Sequence, residues 1–229
     1  MNDHIILYTA KLSIILQIIS GIIGLYGITI PLAKEHVVLR EILILETIVQ
    51  VIEFLYYVWL IRQFSKIQYN VTTTRYFDWM LSTPIMLIST AMFMLYRTLN
   101  KNNSKPLSLT SMIQTSSNPL GNIVGANALM LLFGYLGESG IISRIQGFIW
   151  GSLFFCISFL LLYFNFVGGD SLNNTLFWFM SIIWAFYGVA YCTEYKTKNV
   201  MYNMLDIFSK NFYGFFLVYH IVQLKNDSS

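Results

Sequence analysis

A lysine in the middle of a membrane-length apolar segment constrains this chain more than any other feature. Residues 199–224 are almost wholly apolar, and Lys210 lies near their centre. About 20 such residues cross the hydrocarbon core as a helix. A lysine at that depth costs roughly 2.5–3.5 kcal/mol on insertion scales, so it is retained where it does something. Asp206 stands four positions earlier, one helical turn away on the same face. One reading of the pair is an ion pair that fixes helix packing. The sharper reading is an amine that carries a cofactor as a Schiff base.

Composition agrees with a membrane setting. The chain of 229 residues is 56% hydrophobic and 11% charged, with mean hydropathy +0.60. A soluble domain carries about 25% charged residues. The sequence therefore reads as one all-α polytopic bundle spanning residues 1–229, an integral multi-pass protein with the lipid bilayer as its surroundings. A net charge of +3 gives no case for nucleic acid. Cys156 and Cys192 fall inside apolar spans and read as small core residues rather than a disulfide or metal pair. His4, His36 and His220 are scattered near span ends, and no metal-ligand spacing appears. No constellation of enzymatic catalysis is present, so an enzyme is not expected. The amino terminus lacks a basic n-region and a convincing cleavage site, so the first segment is expected to remain as a span.

Seven segments qualify as spans, over residues 5–30, 37–61, 74–96, 120–137, 142–167, 173–195 and 199–224. Pro31 and the polar run Lys34, Glu35, His36 end the first. The alternation Ile67, Tyr69, Val71 suggests a short hairpin between the second and third. Residues 97–119 form the long polar loop, and the glycines of 137–140 and 168–169 mark tight turns. Loop charge does not orient the bundle. Lys34, Arg97, Lys101, Lys105 and Lys225 lie on one side, and Arg62, Lys66, Arg144, Lys196 and Lys198 on the other.

Polar residues inside a bundle mark ion or proton routes more often than packing. The third span holds Arg75 and Asp78 at i,i+3, then Ser82, Thr83 and Pro84, whose missing N–H disturbs the turn. The seventh holds Asn199, Asn203, Asp206 and Lys210 in steps that make one stripe. The second holds Glu46, Gln50 and Glu53 on one face, its glutamates about 10 Å apart along the axis. They are either neutral packing groups or the lining of a wet path. Glu41 sits nearer the span end, in reach of the headgroups. The first span adds Ser13 and Gln17; Lys11 either snorkels or joins the path. Trp79, Trp150, Trp184 and Tyr187 lie well inside spans and together offer an apolar slot for a flat, conjugated ligand.

Three runs carry a resemblance. The third span reads Arg75-Tyr76-Phe77-Asp78-Trp79-Met80-Leu81-Ser82-Thr83-Pro84. The seventh reads Asp206-Ile207-Phe208-Ser209-Lys210, and the sixth Trp184-Ala185-Phe186-Tyr187-Gly188. With Val124-Gly125-Ala126-Asn127 and Met130 in the fourth, the chain resembles the microbial (type 1) rhodopsins over all seven spans. The family implies a seven-helix bundle with its amino terminus outside and all-trans retinal linked covalently to Lys210. It implies Asp78 as main counterion and proton acceptor, Asp206 as second counterion, and Arg75 as organiser of that cluster. Trp79, Thr83, Met130, Trp150, Trp184 and Tyr187 would wall the chromophore.

The departures bear on activity. Outward proton pumps of this family carry a carboxylate where this chain has Ser89, and Gly188 replaces a proline common in the sixth span. Paired glutamates on the second span, Asn199 and Asn203, and Asn211 directly after the lysine resemble the viral rhodopsins of large algal viruses, nearest to their channel-forming branch. The expectation is a light-gated cation channel, with Ser13, Glu46, Glu53, Asn199 and Asn203 along the ion pathway and monovalent or divalent cations or protons as cargo. A light-driven outward proton pump and a sensory receptor with a partner protein are the alternatives. Homo-oligomerisation is compatible with such a bundle.

Overall fold

The computed structural model describes residues 4–67, 70–100 and 106–227, so Tyr69, Lys101 and Lys105 lie outside it. The described chain is almost entirely helical. Seven membrane-length rods are built from α1 (His4–Thr29), α2 (Val37–Ile67), α3 (Val71–Asn100), α5 (Ser117–Glu138), α6 (Arg144–Leu162), α7 (Ser171–Tyr191) and a composite last rod. That rod is α8 (Tyr195–Asp206), a π turn over Ile207–Asn211, and α9 (Phe212–Asp227). Short connections force neighbouring rods antiparallel. The first rod packs on the second, the second on the third and the fourth on the fifth; the first closes the ring against the seventh.

Five of the rods are long and apolar enough to cross a membrane by length and composition alone. The sixth contains Asn173, Asn174 and several tryptophan and tyrosine residues that dilute its hydropathy, and the seventh is interrupted by the π turn. The outward faces are what a lipid environment selects: Tyr8, Ile22, Leu25, Ile145 and Phe164 are all well exposed. Polar side chains turn inward instead, and Ser13, Glu46, Glu53, Arg75, Asn199, Asn203 and Asp206 are each 0% exposed.

Local chemistry sets the helix ends. Ser143 and Gln146 form a reciprocal capping box that starts α6. The Asp170 side chain accepts from the Asn173 amide at 2.9 Å and starts α7. Gly168 and Gly169, at φ +60° and +74°, make the left-handed exit from the fifth rod that a side chain would resist. Pro84 sits inside α3, where Ser82 and Thr83 donate back to the carbonyls of Asp78 (2.9 Å) and Trp79 (2.7 Å).

Several expectations are corrected. Among the described residues around Ile67 and Val71 there is helix and turn but no strand: the helices run to Ile67 and restart at Val71, and helical bonding satisfies the backbone in lipid where an isolated hairpin leaves an open edge; Tyr69, also in the expected hairpin, lies outside the described residues. The 97–119 loop is partly helical, with α3 continuing to Asn100 and a short α4 over Leu109–Thr115. Glu41 does not reach for headgroups: its carboxylate accepts from the Leu109 amide at 3.0 Å and anchors α4. Cys156 and Cys192 are exposed rather than buried in the core. A small apolar thiol tolerates lipid as readily as protein, so burial was not required of it.

Rods four and five approach through glycine. A Cβ on Gly147 would lie 2.9 Å from the Gly137 Cα and 2.9 Å from the Phe133 carbonyl oxygen, both main-chain atoms that cannot step aside. Gly147→Ala is therefore expected to force the two rods apart and to destabilise the bundle by about 1–3 kcal/mol, the usual range for overpacking. A thermal melt in detergent reads this as a lowered midpoint, whereas Gly121→Ala, with open space around its Cβ, leaves the midpoint unchanged.

Candidate functional site

The third and seventh rods bring Asp78 and Lys210 face to face. Lys210 Nζ donates to Asp78 Oδ2 at 2.7 Å, with both groups buried at the centre of the bundle. Asp206 Oδ1 stands 3.8 Å from the same nitrogen, and Glu53 Oε1 from the second rod 3.9 Å. The i,i+4 spacing thus places Asp206 as expected, even though Lys210 lies within the π turn. Nζ is here the free amine; it holds the place that an imine nitrogen would take.

Asp206 is held by three hydroxyl or ring donors. Tyr57 reaches Oδ2 at 2.8 Å, Tyr187 reaches Oδ1 at 2.7 Å, and the Trp79 indole reaches Oδ1 at 3.3 Å. Arg75 adds a fully buried ion pair at 3.5 Å. The guanidinium is itself spread over the seventh rod: Nε donates to Asn199 Oδ1 at 3.2 Å, and NH2 donates to the Asn199 carbonyl at 3.3 Å and to Asn203 Oδ1. Fork-shaped and always charged, arginine suits this task better than lysine. Three carboxyl groups thus surround two cations. A buried charge is tolerated only when paired and hydrogen-bonded, and Asp78 and Asp206 meet that condition. Glu53 does so least: neither of its oxygens has a hydrogen bond, and Gln17 faces it without closing one.

A cavity of about 530 Å³ opens from Lys210 between the third to seventh rods. Trp79, Thr83, Met130, Trp184 and Tyr187 all line it, joined by Gly134, Phe148, Gly151 and Phe155. Its volume lies within the range of small-molecule sites, its walls are apolar, and it ends on a lone amine. A long, flat, apolar aldehyde fits that donor set. Thr83 is oriented from the fourth rod, where Asn127 Nδ2 donates to its hydroxyl at 2.8 Å.

Trp150 is the exception among the expected wall residues. It is 47% exposed, stacks on Phe133 and stays out of the cavity. Helical periodicity gives the reason: Gly147, Phe148, Gly151 and Phe155 share the inward face of α6, and Trp150 lies about a third of a turn away from it. Tyr57 and Tyr202 were not singled out from sequence. Tyr202 stacks on Tyr187 and carries Arg75 over its ring at 5.7 Å. A signal existed: Tyr57 extends the Glu46–Gln50–Glu53 stripe by one turn, and Tyr202 precedes Asp206 by one turn.

The pathway residues divide into two groups. Toward the amino-terminal end, Ser13 donates to the Asn203 carbonyl at 3.2 Å. Asn203 donates to Thr9 Oγ1 at 2.7 Å, and Asn199 to Thr72 Oγ1 at 3.0 Å. These bonds tie the seventh rod to the first and third. Toward the other end, Ser89 donates to Glu46. Lys11 is exposed on the outer face of α1 and takes no part.

Fold and site together define a seven-helix membrane protein built around a buried lysine, its carboxylate partners and an apolar cavity. A model of the bacteriorhodopsin-like proteins matches residues 8–224, and the chain belongs to that family, whose members bind retinal through a lysine. It is similar to the crystal structure of the viral rhodopsin OLPVRII at 30% identity, with TM-score 0.81 over 96% of this chain and 98% of that one. The blue light-absorbing proteorhodopsin from Med12 shares the fold at TM-score 0.75 and 16% identity, over 96% and 98% of the two chains. Green-light absorbing proteorhodopsin of Gamma-proteobacterium EBAC31A08 is 24% identical over 179 residues, 69% of this chain; the match spans 64% of that relative's length.

Proposed function

We propose that this protein is a light-gated cation channel with all-trans retinal bound to Lys210. The observation that carries this reading is the buried polar stripe beside the cavity. Residues of α1, α2 and the seventh rod continue past Lys210 on both sides, away from the apolar pocket that would hold the chromophore. Polar groups buried along one line inside a membrane bundle mark ion and proton routes.

When bound, retinal supplies a light-driven isomerisation that turns the charged nitrogen at Lys210 relative to its partners. Asp78, whose Oδ2 lies 2.7 Å from Nζ, would take the proton that Nζ gives up. Loss of that pair of charges leaves Asp206 and Arg75 as the remaining central ion pair. Arg75 then has reason to shift its hold on Asn199 and Asn203, the residues that tie the seventh rod to the first and third. Glu46 and Glu53 favour cations along the opened route and disfavour anions. Trp79, Thr83, Met130, Trp184 and Tyr187 line the cavity and would hold the chromophore against Lys210.

An outward proton pump is the second reading, favoured by one contact. Ser89 stands where pump relatives carry a carboxyl group, yet its hydroxyl donates to Glu46, so the second rod brings a carboxyl to that place. Voltage clamp of the retinal-loaded protein separates the two. A channel gives a photocurrent that reverses sign as voltage is stepped through the cation equilibrium potential; a current of one sign at every voltage identifies the pump.

A further inference from the structure

Two pools of buried polar atoms without hydrogen-bond partners lie along the pathway. One, beside Lys210, comprises Asp78 Oδ1 and the side-chain oxygens and nitrogens of Gln17, Glu53 and Asn211. The other, nearer the carboxy-terminal end, includes Glu46 Oε2 and the Tyr213 hydroxyl. Every one of these residues is at most 3% exposed. Leaving such a group unpaired costs about 1–3 kcal/mol, so each pool is a place that water or a cation satisfies.

Gln50 lies between them. It follows Glu46 by one turn and precedes Glu53 by one turn on the same face of α2, and it is 3% exposed. Its amide fills a slot left by Gly214 on the seventh rod and lies within ordinary contact of Gly24 on the first. A Cβ on Gly214 would fall 2.4 Å from Nε2, and one on Gly24 would stand 3.7 Å from Oε1. Its carbonyl Oε1 has no hydrogen-bond partner. The side chain is thus held there by fit, and moving its carbonyl into either pool gains a partner it now lacks.

We propose that Gln50 is the gate of this pathway, a neutral amide plug wedged between the first, second and seventh rods that separates the two pools until they join. The proposal rests on the channel reading. It assigns Gly214 the task of making room for the plug. It sets the barrier between Glu46 and Glu53, about 10 Å apart on one face.

The test is voltage clamp on the full retinal-loaded chain, with visible absorbance as the control for folding. Gln50→Ala is expected to leave colour intact and to add a dark leak that reverses where the wild-type photocurrent does. Gln50→Leu, which keeps the volume and removes the polar atoms, is expected to cut the photocurrent about tenfold, the effect of ~1.4 kcal/mol of added barrier. Gly214→Ala displaces only the flexible end of Gln50 and is expected to leak in the dark; adding Gln50→Ala to it brings no further change. Coloured variants with wild-type currents, dark and lit, overturn the gate while leaving the channel intact. A wild-type photocurrent that never reverses overturns the channel reading and the gate with it.

Discussion

Lys210→Ala loses the visible absorbance altogether. The cavity ends on this one amine, and the other groups that face it are carboxyl groups, hydroxyls and apolar walls. Without the amine no covalent bond to an aldehyde can form there, and the cavity retains at most a loosely bound, ultraviolet-absorbing ligand. The effect is therefore all-or-none in the visible rather than graded. Adding retinal to purified protein and recording the spectrum checks it; a wild-type-like visible band in the variant places the chromophore elsewhere. Folding need not fail along with colour. Removing Lys210 leaves Asp78 without its nearest cation, yet Arg75 still pairs with Asp206 at 3.5 Å. Lys210→Ala combined with Asp78→Asn removes that uncompensated charge and is expected to melt higher than Lys210→Ala alone.

Glu53→Gln is the complementary case, with colour spared and current altered. Glu53 stands 3.9 Å from Lys210, beyond the 2.7 Å contact that Asp78 makes, so its charge contributes less to the energy of the central cation. It also faces the pool beside Gln17 and offers two oxygens with no hydrogen bond of their own. A passing cation would find unclaimed carboxyl oxygens there. The expected outcome is an absorption band of near wild-type shape, a photocurrent reduced severalfold, and a reversal potential that moves when one cation is exchanged for another. A large colour shift with unchanged current would assign Glu53 to the chromophore's counterion set instead of the pathway.

The parts of this site that were legible in sequence are those where chemistry and period coincide. Lys210 stood out because charge is expensive in an apolar span, and Asp206 because i,i+4 residues meet on a helix. Glu46, Gln50 and Glu53 shared a stripe, and the structure buries all three. Trp150 failed for the opposite reason: tryptophan is as content against lipid as against a ligand, and its identity does not say which way it points. Tyr57 was hidden among many aromatics until its hydroxyl was seen on Asp206. The two cysteines erred likewise, since a membrane rewards an apolar side chain on either side of a rod. Inside-out patterning, which guides soluble folds, is silent where the solvent is oil. The Gln50 slot was beyond sequence entirely, because it depends on Gly214, which meets the second rod only in the fold.

The wide turn over Ile207–Asn211 has a mechanical consequence. Five residues there complete a loop of backbone that an ordinary helix closes with four, so the rod carries one residue of slack at the attachment point of the pigment. A twist applied to that side chain can be absorbed by this loose coil before either half of the rod turns. Relaxing the coil would swing the distal half by about 100° and carry Gly214 away from the amide it now accommodates.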